Sequence, residues 1–291
     1  MTSTIWQHPH GHLKLTDKPI IMGILNTTPD SFSDGNCFFD PDQALMQAEK
    51  MIGDGAQIID VGGESTRPGA TPVLVDEEIS RTRNIIRTIH QQWPNVLISI
   101  DTYKGLVAEA ALENGASIIN DVSACRWDPN LREVVVQSKA GYVCMHALDR
   151  PAEMQASPAY QNAVEDIFHF LRQTTSDLMD AGVEAERIVC DPGIGFGKTL
   201  EHNLALIRAQ EIWKQLERPI LWGLSRKSYI GKILQTEPND RLIGTITSHA
   251  WLLAYGCTPQ IWRVHDVKET HQLIQMWKSL HEPLQSARDE H

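Results

Sequence analysis

Three short hydrogen-bond acceptors, Asp101, Asn120 and Asp191, each stand at the end of an apolar run of the sequence. A carboxylate held in a deep slot needs hydrogen-bond donors to offset the loss of its hydration. A flat heterocycle with adjacent N–H groups would supply such donors. The three side chains therefore predict a slot for a flat, nitrogen-rich ring.

Cationic side chains form a second group, made of Lys227, Arg263, His265 and Arg67. Lys227 follows the seventh apolar run, and Arg263 and His265 lie at the end of the eighth, where barrels of alternating strands and helices often hold phosphate. Arg67 lies in the loop after the second run and could close over the same anion. This group predicts that an anion binds beside the ring.

The same residues also allow an interpretation without function. Arg226 and Lys227 could be a solvated pair, Arg263 could pair with Asp266, and a single acceptor such as Asp101 could simply cap a turn. However, polar groups follow all eight apolar runs, and stability alone does not require that coincidence. We therefore favour a shared functional site.

A glycine-rich stretch, residues 191–198, looks like a phosphate-binding loop but lacks the Walker spacing. Its glycines would instead let the backbone approach a flat ligand, with Phe196 stacking nearby. This interpretation assigns the stretch to the ring slot.

Short apolar runs alternate with longer helical stretches along the chain. The predicted strands are residues 20–25, 58–61, 96–100, 117–120, 141–145, 188–190, 220–224 and 260–264. The predicted helices are residues 42–53, 76–92, 106–114, 129–138, 163–181, 200–216 and 240–255. Nearly continuous apolar strands are typical of a parallel sheet that is buried on both faces.

The number of strands favours an α/β fold of the TIM type, a closed (β/α)8 barrel. An open doubly wound sheet is the alternative, but it would usually carry a glycine-rich dinucleotide loop after its first strand, and this sequence has none there. We expect residues 1–291 to form a single domain with a short N-terminal extension and a polar tail. In a TIM barrel the C-terminal ends of the strands form the active site, so both groups should meet at one mouth.

The composition argues against several classes of function. A formal net charge of −11 is a poor match for nucleic acid, whose phosphates call for a basic face. We find no apolar stretch long enough for a membrane helix and no signal sequence, so we expect a cytoplasmic protein that binds no membrane. The five scattered cysteines predict neither a disulfide framework nor a zinc site.

Five segments together resemble the dihydropteroate synthases, and the similarity spans about residues 20–280. The segments are residues 23–35, 62–69, 191–198, 225–228 and 263–267. Each is moderately specific, and all five in this order are very specific. One departure follows the fifth strand, where residues 147–151 replace a usual Met-x-Gly run. The resemblance implies a TIM barrel that joins 6-hydroxymethyl-7,8-dihydropterin pyrophosphate to p-aminobenzoate, giving 7,8-dihydropteroate for folate synthesis.

The resemblance also implies a role for each candidate residue. The residues that match pterin contacts are Asp101, Asn120, Val122, Met145, Asp191, Phe196, Gly223 and Lys227. Those that match the p-aminobenzoate end are Phe32, Thr66, Arg67, Pro68 and Ser228. Those that match the pyrophosphate end are Asn26, Thr66, Arg67, Arg263 and His265, with Asn26 as a ligand of Mg²⁺, the implied cofactor. Those that match catalytic groups are Asp34, Arg67, Lys227, Arg263 and His265.

The implied reaction is a substitution at the pterin methylene carbon, with pyrophosphate as the leaving group. Mg²⁺ and the cations would stabilise the negative charge that develops on the leaving group. Asp34 could stabilise a positive charge on the pterin ring. The amine of p-aminobenzoate is the nucleophile, so no covalent enzyme intermediate is expected. The implied partners are these two small molecules and a second copy of the chain in a homodimer.

Two other functions stay open on the sequence. A methyltetrahydrofolate–corrinoid methyltransferase would share the barrel and the pterin slot, but it would not need the segment 65–68. A catalytically silent paralogue that only binds pterin would be expected to lose Asn26, Arg67 or Lys227, and all three are present.

Overall fold

The structure is a computed structural model that describes residues 4–28, 40–65, 69–150, 159–256 and 259–281. Five candidate site residues lie outside the described residues: Phe32, Asp34, Thr66, Arg67 and Pro68. The other candidates are all described, so their positions can be compared with the sequence-based predictions.

Eight parallel strands close into a barrel. They are β3 (Ile20–Asn26), β4 (Ile58–Gly62), β5 (Leu97–Asp101), β6 (Ile118–Asp121), β7 (Gly141–Met145), β8 (Ile188–Asp191), β9 (Ile220–Trp222) and β10 (Gln260–Val264). The strands follow each other around the barrel in sequence order, and β10 pairs with β3 to close it. The predicted TIM barrel is confirmed, and each predicted strand overlaps an observed one.

Helices surround the barrel and bury one face against it. They are α1 (Pro41–Gly53), α2 (Val75–Gln92), α3 (Gly105–Glu113), α4 (Pro129–Gln137), α5 (Ala163–Asp180), α6 (Leu200–Arg208), α7 (Gln210–Lys214), α8 (Ser228–Leu234), α9 (Leu242–Tyr255) and α10 (Val267–His281). Local sequence sets where they begin: Asp40 caps α1 by accepting from two backbone N–H groups, and Asn162 does the same for α5. The single helix predicted over residues 200–216 is wrong, because the chain breaks at Ala209 into α6 and α7.

A β-hairpin that the sequence analysis did not predict precedes the barrel. Its strands are β1 (Thr4–His8) and β2 (Gly11–Leu15), which pair antiparallel. Trp6 is 1% exposed, and its indole Nε1 donates to the carbonyl oxygen of Arg187 at 2.8 Å. Trp6 and Leu15 join the apolar cluster at the N-terminal end of the barrel, so the hairpin covers that end.

Side chains that point into the barrel form an apolar layer below a polar one. Successive side chains of a strand alternate between its two faces, so residues two positions apart share a face. The apolar layer contains Met22, Ile58, Ile118, Val143, Val189, Leu221 and Ile261. The residues two positions further along the same strands include Asp60, Asn120, Met145, Asp191, Gly223 and Arg263. The strand period therefore delivers a set of polar groups to the C-terminal mouth, directly above an apolar floor.

No helix among the described residues is long and apolar enough to span a membrane. Cys125, Cys144 and Cys190 are free thiols, and the last two are buried inside the fold. Burial raises the pKa of the Cys190 thiol to about 12, which disfavours the reactive thiolate.

Candidate active site

A pocket opens among the C-terminal ends of strands β5 to β10. Its lining consists of Asp101, Asn120, Val122, Met145, Asp191, Gly193, Ile194, Phe196, Gly223, Lys227 and Arg263. All eight residues that the resemblance assigns to the pterin are in this lining, together with Arg263. The structure thus brings the predicted ring slot and part of the predicted anion group into one site.

Arg263 binds two carboxylates at the floor of the pocket. Its Nε lies 2.6 Å from Oδ2 of Asp60, and its Nη2 lies 2.6 Å from Oδ2 of Asp101. Oδ2 of Asp60 also accepts from Nδ2 of Asn120 at 3.0 Å. This network joins four barrel strands and holds three of the predicted site residues at fixed relative positions.

At the floor of the pocket, the attraction between Arg263 and its two carboxylate partners offsets the cost of burying their charges only in part. Burial disfavours the charge of Arg263, but the neighbouring Asp60 and Asp101 outweigh it and raise the pKa of the guanidinium. Burial raises the pKa of Asp101, and Arg263 opposes that shift. One oxygen of each carboxylate, Oδ1 of Asp60 and Oδ1 of Asp101, is buried without a hydrogen-bond partner in the protein. Asp101, which lines the pocket, therefore keeps an acceptor that a ligand donor could satisfy.

Asp191 lies on the opposite side of the pocket, at the end of β8. Its Oδ1 accepts from the backbone N–H of Gly193 at 2.6 Å. Burial raises the pKa of Asp191 to about 6, while the Gly193 hydrogen bond, Lys227, Lys198 and Arg263 act in the opposite direction. The carboxylate is therefore mainly ionised at neutral pH and can accept hydrogen bonds from ring N–H groups.

Lys227 is the N-cap residue of α8, and its side chain lines the pocket. Its Nζ lies 4.2 Å from the ring centroid of Phe196, a cation–π contact that links two walls of the pocket. Burial lowers the pKa of Lys227 to about 8, and Arg263 contributes in the same direction. A Cβ at Gly195 would lie 3.3 Å from Cδ of Lys227, so glycine at that position leaves room for the lysine side chain.

Apolar side chains complete the wall next to the polar groups. Tyr103, Val122, Met145 and Ala147 form a buried cluster, with Trp127 and Phe196 packed against it. Ala147, the first residue that departs from the family pattern, is fully buried in this cluster. Farther along the same loop, the Arg150 guanidinium lies over the rings of Tyr103 and Trp127. The loop departs from the family pattern, but Ala147 keeps the wall apolar and Arg150 adds a cation outside that wall.

His265 at the rim is not the cation that the sequence analysis expects. Its Nδ1 lies 3.0 Å from Oγ of Ser225, and burial, with a contribution from Arg263, lowers its pKa to about 3. The imidazole is therefore neutral at physiological pH. It can offer a hydrogen bond to an anion, but it brings no positive charge.

Arg226 and Asp266 form an ion pair across the rim, between the loops that carry Lys227 and His265. Nε of Arg226 donates to Oδ2 of Asp266 at 3.0 Å, and the Arg226 backbone has a left-handed φ of 57°. The alternative pairing of Arg263 with Asp266 is therefore wrong, because Arg263 binds Asp60 and Asp101 instead. Lys227 is also not part of a solvated pair.

Asn26 ends β3, between the strands that carry Asp60 and Arg263, and is partly buried. A Cβ added at Gly62 would lie 3.8 Å from Oδ1 of Asn26 and 3.7 Å from Oδ2 of Asp101, so the glycine keeps the space between these oxygens open. No group of three or more His, Cys, Asp or Glu residues that could hold a metal occurs in the described part of the chain. A hard oxygen donor beside an open space fits Mg²⁺, which often binds through one or two protein ligands and completes its shell with phosphate oxygens and water.

Ser228, like Asn26 and His265, is a described candidate that does not line the pocket. It is the first residue of α8, directly after Lys227, and it is exposed. Its position beside the mouth is compatible with a contact to a second ligand farther out.

Three polar groups that support the site are not among the residues predicted from the sequence. Asp60 is fully buried and binds Arg263 and Asn120. The signal was available, because Asp60 lies two positions after Ile58 and therefore points into the barrel. Lys198 is buried behind the pocket, where its Nζ contacts His146.

The third missed group is a buried cluster around Lys104. Its Nζ lies 2.6 Å from Oε2 of Glu64, 2.5 Å from Oε2 of Glu78 and 2.6 Å from the carbonyl oxygen of Val73. The backbone N–H of Val73 also donates to Oε2 of Glu64 at 2.7 Å. Glu64 and Val73 flank the segment that contains Thr66, Arg67 and Pro68, so one ammonium group holds both flanks.

Comparison with known proteins identifies relatives over almost the whole chain. The sequence matches the family described as pterin binding enzyme over residues 22–265. It is 41% identical over 261 residues to the dihydropteroate synthase of Haemophilus influenzae, which covers 90% of this chain and 94% of the relative.

Two solved structures show the same fold. One is a Xanthomonas albilineans dihydropteroate synthase with 4-aminobenzoic acid, with a TM-score of 0.89 and 35% identity, covering 97% of this chain and 100% of that one. The other is a Burkholderia cenocepacia dihydropteroate synthase complexed with 7,8-dihydropteroate, with a TM-score of 0.84 and 37% identity, covering 96% of this chain and 98% of that one.

Proposed function

The chain belongs to the family of dihydropteroate synthases, and from this premise we propose how its residues carry out the family's reaction. The enzyme is a transferase that joins 6-hydroxymethyl-7,8-dihydropterin pyrophosphate to p-aminobenzoate, giving 7,8-dihydropteroate and pyrophosphate for folate synthesis. One observation carries the proposal: Asp101, Asn120, Asp191 and Lys227 converge on a single pocket beside Arg263.

The pocket suits a pterin ring in shape and in hydrogen bonding. Asp191 and Asn120 present acceptors to the N–H groups of the ring, and the unpartnered Oδ1 of Asp101 adds another. Lys227 supplies the donor for the ring oxygen or a ring nitrogen. Met145 and Phe196 cover the faces of the ring, which offsets the desolvation of its apolar surface.

The leaving group lies on the side of Arg263. The guanidinium has two of its donors bound to Asp60 and Asp101, and the remaining N–H groups are available to pyrophosphate oxygens. His265 adds a neutral hydrogen bond, and Arg67 and Thr66 complete the anion site from the loop after β4. Asn26 would hold Mg²⁺, which when bound supplies positive charge to the departing pyrophosphate.

The chemical step exchanges one bond for another at the methylene carbon. The C–O bond breaks and its electron pair leaves with pyrophosphate, while the lone pair of the arylamine forms the new C–N bond. The amine then releases a proton. Asp34 stabilises the positive charge that the pterin carries as the C–O bond breaks, and Phe32, Pro68 and Ser228 bind p-aminobenzoate.

We further propose that the protein is a cytoplasmic homodimer. Exposed apolar side chains are concentrated on α8, α9 and α10: Ile233, Leu234, Ile243, Trp251, Tyr255, Met276 and Leu280. Burial of such a face between two copies would remove apolar surface from water, which supports association.

Pyrophosphate release with and without p-aminobenzoate tests the proposed reaction. We expect release that depends on p-aminobenzoate and equals the dihydropteroate formed. A methyltransferase would release no pyrophosphate, and a silent paralogue would bind the pterin without turnover. Either result would reject the proposal.

A further inference from the structure

Lys198 is a buried cation that the proposed reaction does not use. Only 3% of the residue is exposed. Its Nζ lies 3.1 Å from Nδ1 of His146, 3.2 Å from the carbonyl oxygen of His146 and 2.9 Å from the carbonyl oxygen of Phe196. The side chain thus joins the end of β7 to the loop after β8, and both of these segments contribute residues to the pterin pocket.

The end of β7 and the loop after β8 approach each other closely, and this requires a positive φ at Gly193. Gly193 has a φ of 69°, and a Cβ at this position would lie 1.9 Å from the carbonyl oxygen of His146. Any side chain at residue 193 would therefore push the loop away from β7. The glycine permits the contact, and the Lys198 hydrogen bonds hold it.

Burial and charge act against each other at Lys198, and its hydrogen bonds favour the ammonium form. Burial lowers the pKa of Lys198 well below its usual value, Lys227 and Arg126 act in the same direction, and Asp191 opposes them. His146 is neutral, because burial, together with Lys198, lowers its pKa to about 2. With the proton of the neutral His146 on Nε2, its Nδ1 and the two carbonyl oxygens are three acceptors, and the three N–H donors of an ammonium group satisfy all of them.

The buried side chain of Lys198 does not line the pocket, and its charge acts on Asp191. The charged groups that face Asp191 are Lys198 from its own loop, Lys227 from the loop after β9, and Arg263 from β10. On the β7 side, Asp191 meets the backbone N–H of His146, which donates to its carbonyl oxygen, and the neutral imidazole lies next to Lys198. Lys198 is the one member of this set that does not line the pocket.

We propose that Lys198 is a positioning residue for the pterin pocket, which fixes the loop that carries Phe196 and supplies buried positive charge that keeps Asp191 ionised. The inference rests on the proposed function, because it assigns a purpose to an ionised Asp191. It also explains why the glycine-rich stretch ends in lysine although the loop is no phosphate site: the side chain points into the protein.

Three variants separate the two parts of this role. Lys198→Met removes the charge and the hydrogen bonds, and Lys198→Arg keeps the charge. Asn203→Ala is the matched control, since Asn203 holds the same loop through Gly195 N–H and through the Lys198 carbonyl without bearing a charge. If Lys198→Met fails to fold, Lys198→Gln removes the charge and keeps a donor.

The experiment measures the affinity of each full-length variant for 6-hydroxymethylpterin by calorimetry across a range of pH. In the unmodified chain we expect affinity to fall on the acid side as Asp191 becomes protonated. We call this fall in affinity at low pH the acid limb. In Lys198→Met we expect the acid limb to move to higher pH by about one unit, which corresponds to an affinity loss of about tenfold at a pH within the limb. In Asn203→Ala the affinity should fall without a shift of the limb, and in Lys198→Arg the limb should stay in place.

The outcomes distinguish the inference from the function on which it rests. An unmodified chain that binds no pterin would overturn both. An unmodified chain that binds pterin, with a Lys198→Met or Lys198→Gln variant whose acid limb is unmoved, would overturn the inference alone. A shift of equal size in Asn203→Ala would also overturn it, because the shift would then follow from loop displacement and not from charge.

Discussion

Nε of Arg263 lies 2.6 Å from Oδ2 of Asp60, a carboxylate that does not line the pocket. The two residues are 203 positions apart in the sequence, and the barrel closure between β10 and β3 brings them together. Asp60 therefore sets the position of Arg263 from below, while Arg263 itself faces the ligand. We therefore expect a residue beneath the pocket to affect the reaction above it.

Asp60→Ala should reduce both stability and activity. The substitution leaves the Arg263 guanidinium with one carboxylate instead of two, and it removes the acceptor of Asn120. Breaking a buried ion pair typically costs about 3–5 kcal/mol, so we expect a loss of this order in the free energy of unfolding by urea denaturation.

The control for Asp60→Ala is Glu211→Ala, which breaks an exposed ion pair with Lys214. An exposed pair contributes about 1 kcal/mol or less. We expect kcat/KM to fall in the Asp60 variant only. Equal effects of the two substitutions would contradict the role of Asp60.

Arg263→Ala should slow the reaction and also lower the stability, because it leaves Asp60 and Asp101 buried without their shared cation. Loss of one charge-stabilising donor typically costs about 3–4 kcal/mol in the transition state, or about a hundred- to thousandfold in kcat. Pyrophosphate release measures the effect, and circular dichroism checks the fold. Arg132→Ala on the surface of α4 serves as a control. Normal turnover in a folded Arg263→Ala protein would refute the assigned role.

Asp191→Ala should abolish pterin binding, and binding to the unmodified chain should depend on pH. Burial raises the pKa of Asp191 to about 6. Because the ionised form accepts the hydrogen bonds of the ring, affinity should be constant well above this pKa and should weaken as the pH falls through it. Calorimetric titrations at several pH values measure this. Affinity that is unchanged in Asp191→Ala would reject the assignment of the slot.

Lys104→Met should destabilise the fold, and more so at neutral than at acidic pH. The substitution leaves Glu64 and Glu78 buried without their shared cation, which should cost about 3–5 kcal/mol. Burial raises the pKa of Glu78 and Lys104 opposes that shift, so the variant raises the pKa further. A raised carboxyl pKa costs stability as the pH rises through it, whereas the protonated carboxyl tolerates burial.

Urea denaturation at neutral and at acidic pH measures the effect of Lys104→Met. Because Glu64 and Val73 flank the segment with Thr66, Arg67 and Pro68, we also expect a higher KM for p-aminobenzoate. A destabilisation that is independent of pH would contradict the electrostatic explanation.

Ile243→Glu should convert the proposed homodimer into a monomer. Ile243 is 72% exposed on α9, within the apolar surface of α8 to α10. Met46→Glu is a matched control, because Met46 is 69% exposed but lies on α1. Light scattering coupled to size exclusion gives the mass of each protein. A dimer that persists in Ile243→Glu would exclude this surface as the interface.

The alternation of strands and helices was readable from the sequence because a parallel barrel buries its strands on both faces. The polar pocket residues were also readable, since each lies at or shortly after the end of an apolar run, whereas Val122 and Gly223 followed only from the family resemblance. Asp60 was missed because it interrupts such a run without ending it, and only the two-residue period marks it as inward-facing.

Other features depend on tertiary contacts that a local pattern does not encode. The charge of His265 was predicted from its residue type, but burial beside Arg263 makes the ring neutral. No glycine or proline marks the helix break at Ala209, and the hairpin strands are too short and polar to stand out. The Lys104 cluster joins residues up to 40 positions apart.

The barrel is closed at its N-terminal end by its own apolar layer, which the N-terminal hairpin covers. Trp6 and Leu15 fill its lower end together with the apolar layer, so among the described residues the ligand-binding floor has its approach from the C-terminal side. Substrates and products must then pass through the same opening. The ligand that binds at the floor must enter before the ligand that binds above it. The next pterin can therefore bind only after the product has left through that opening.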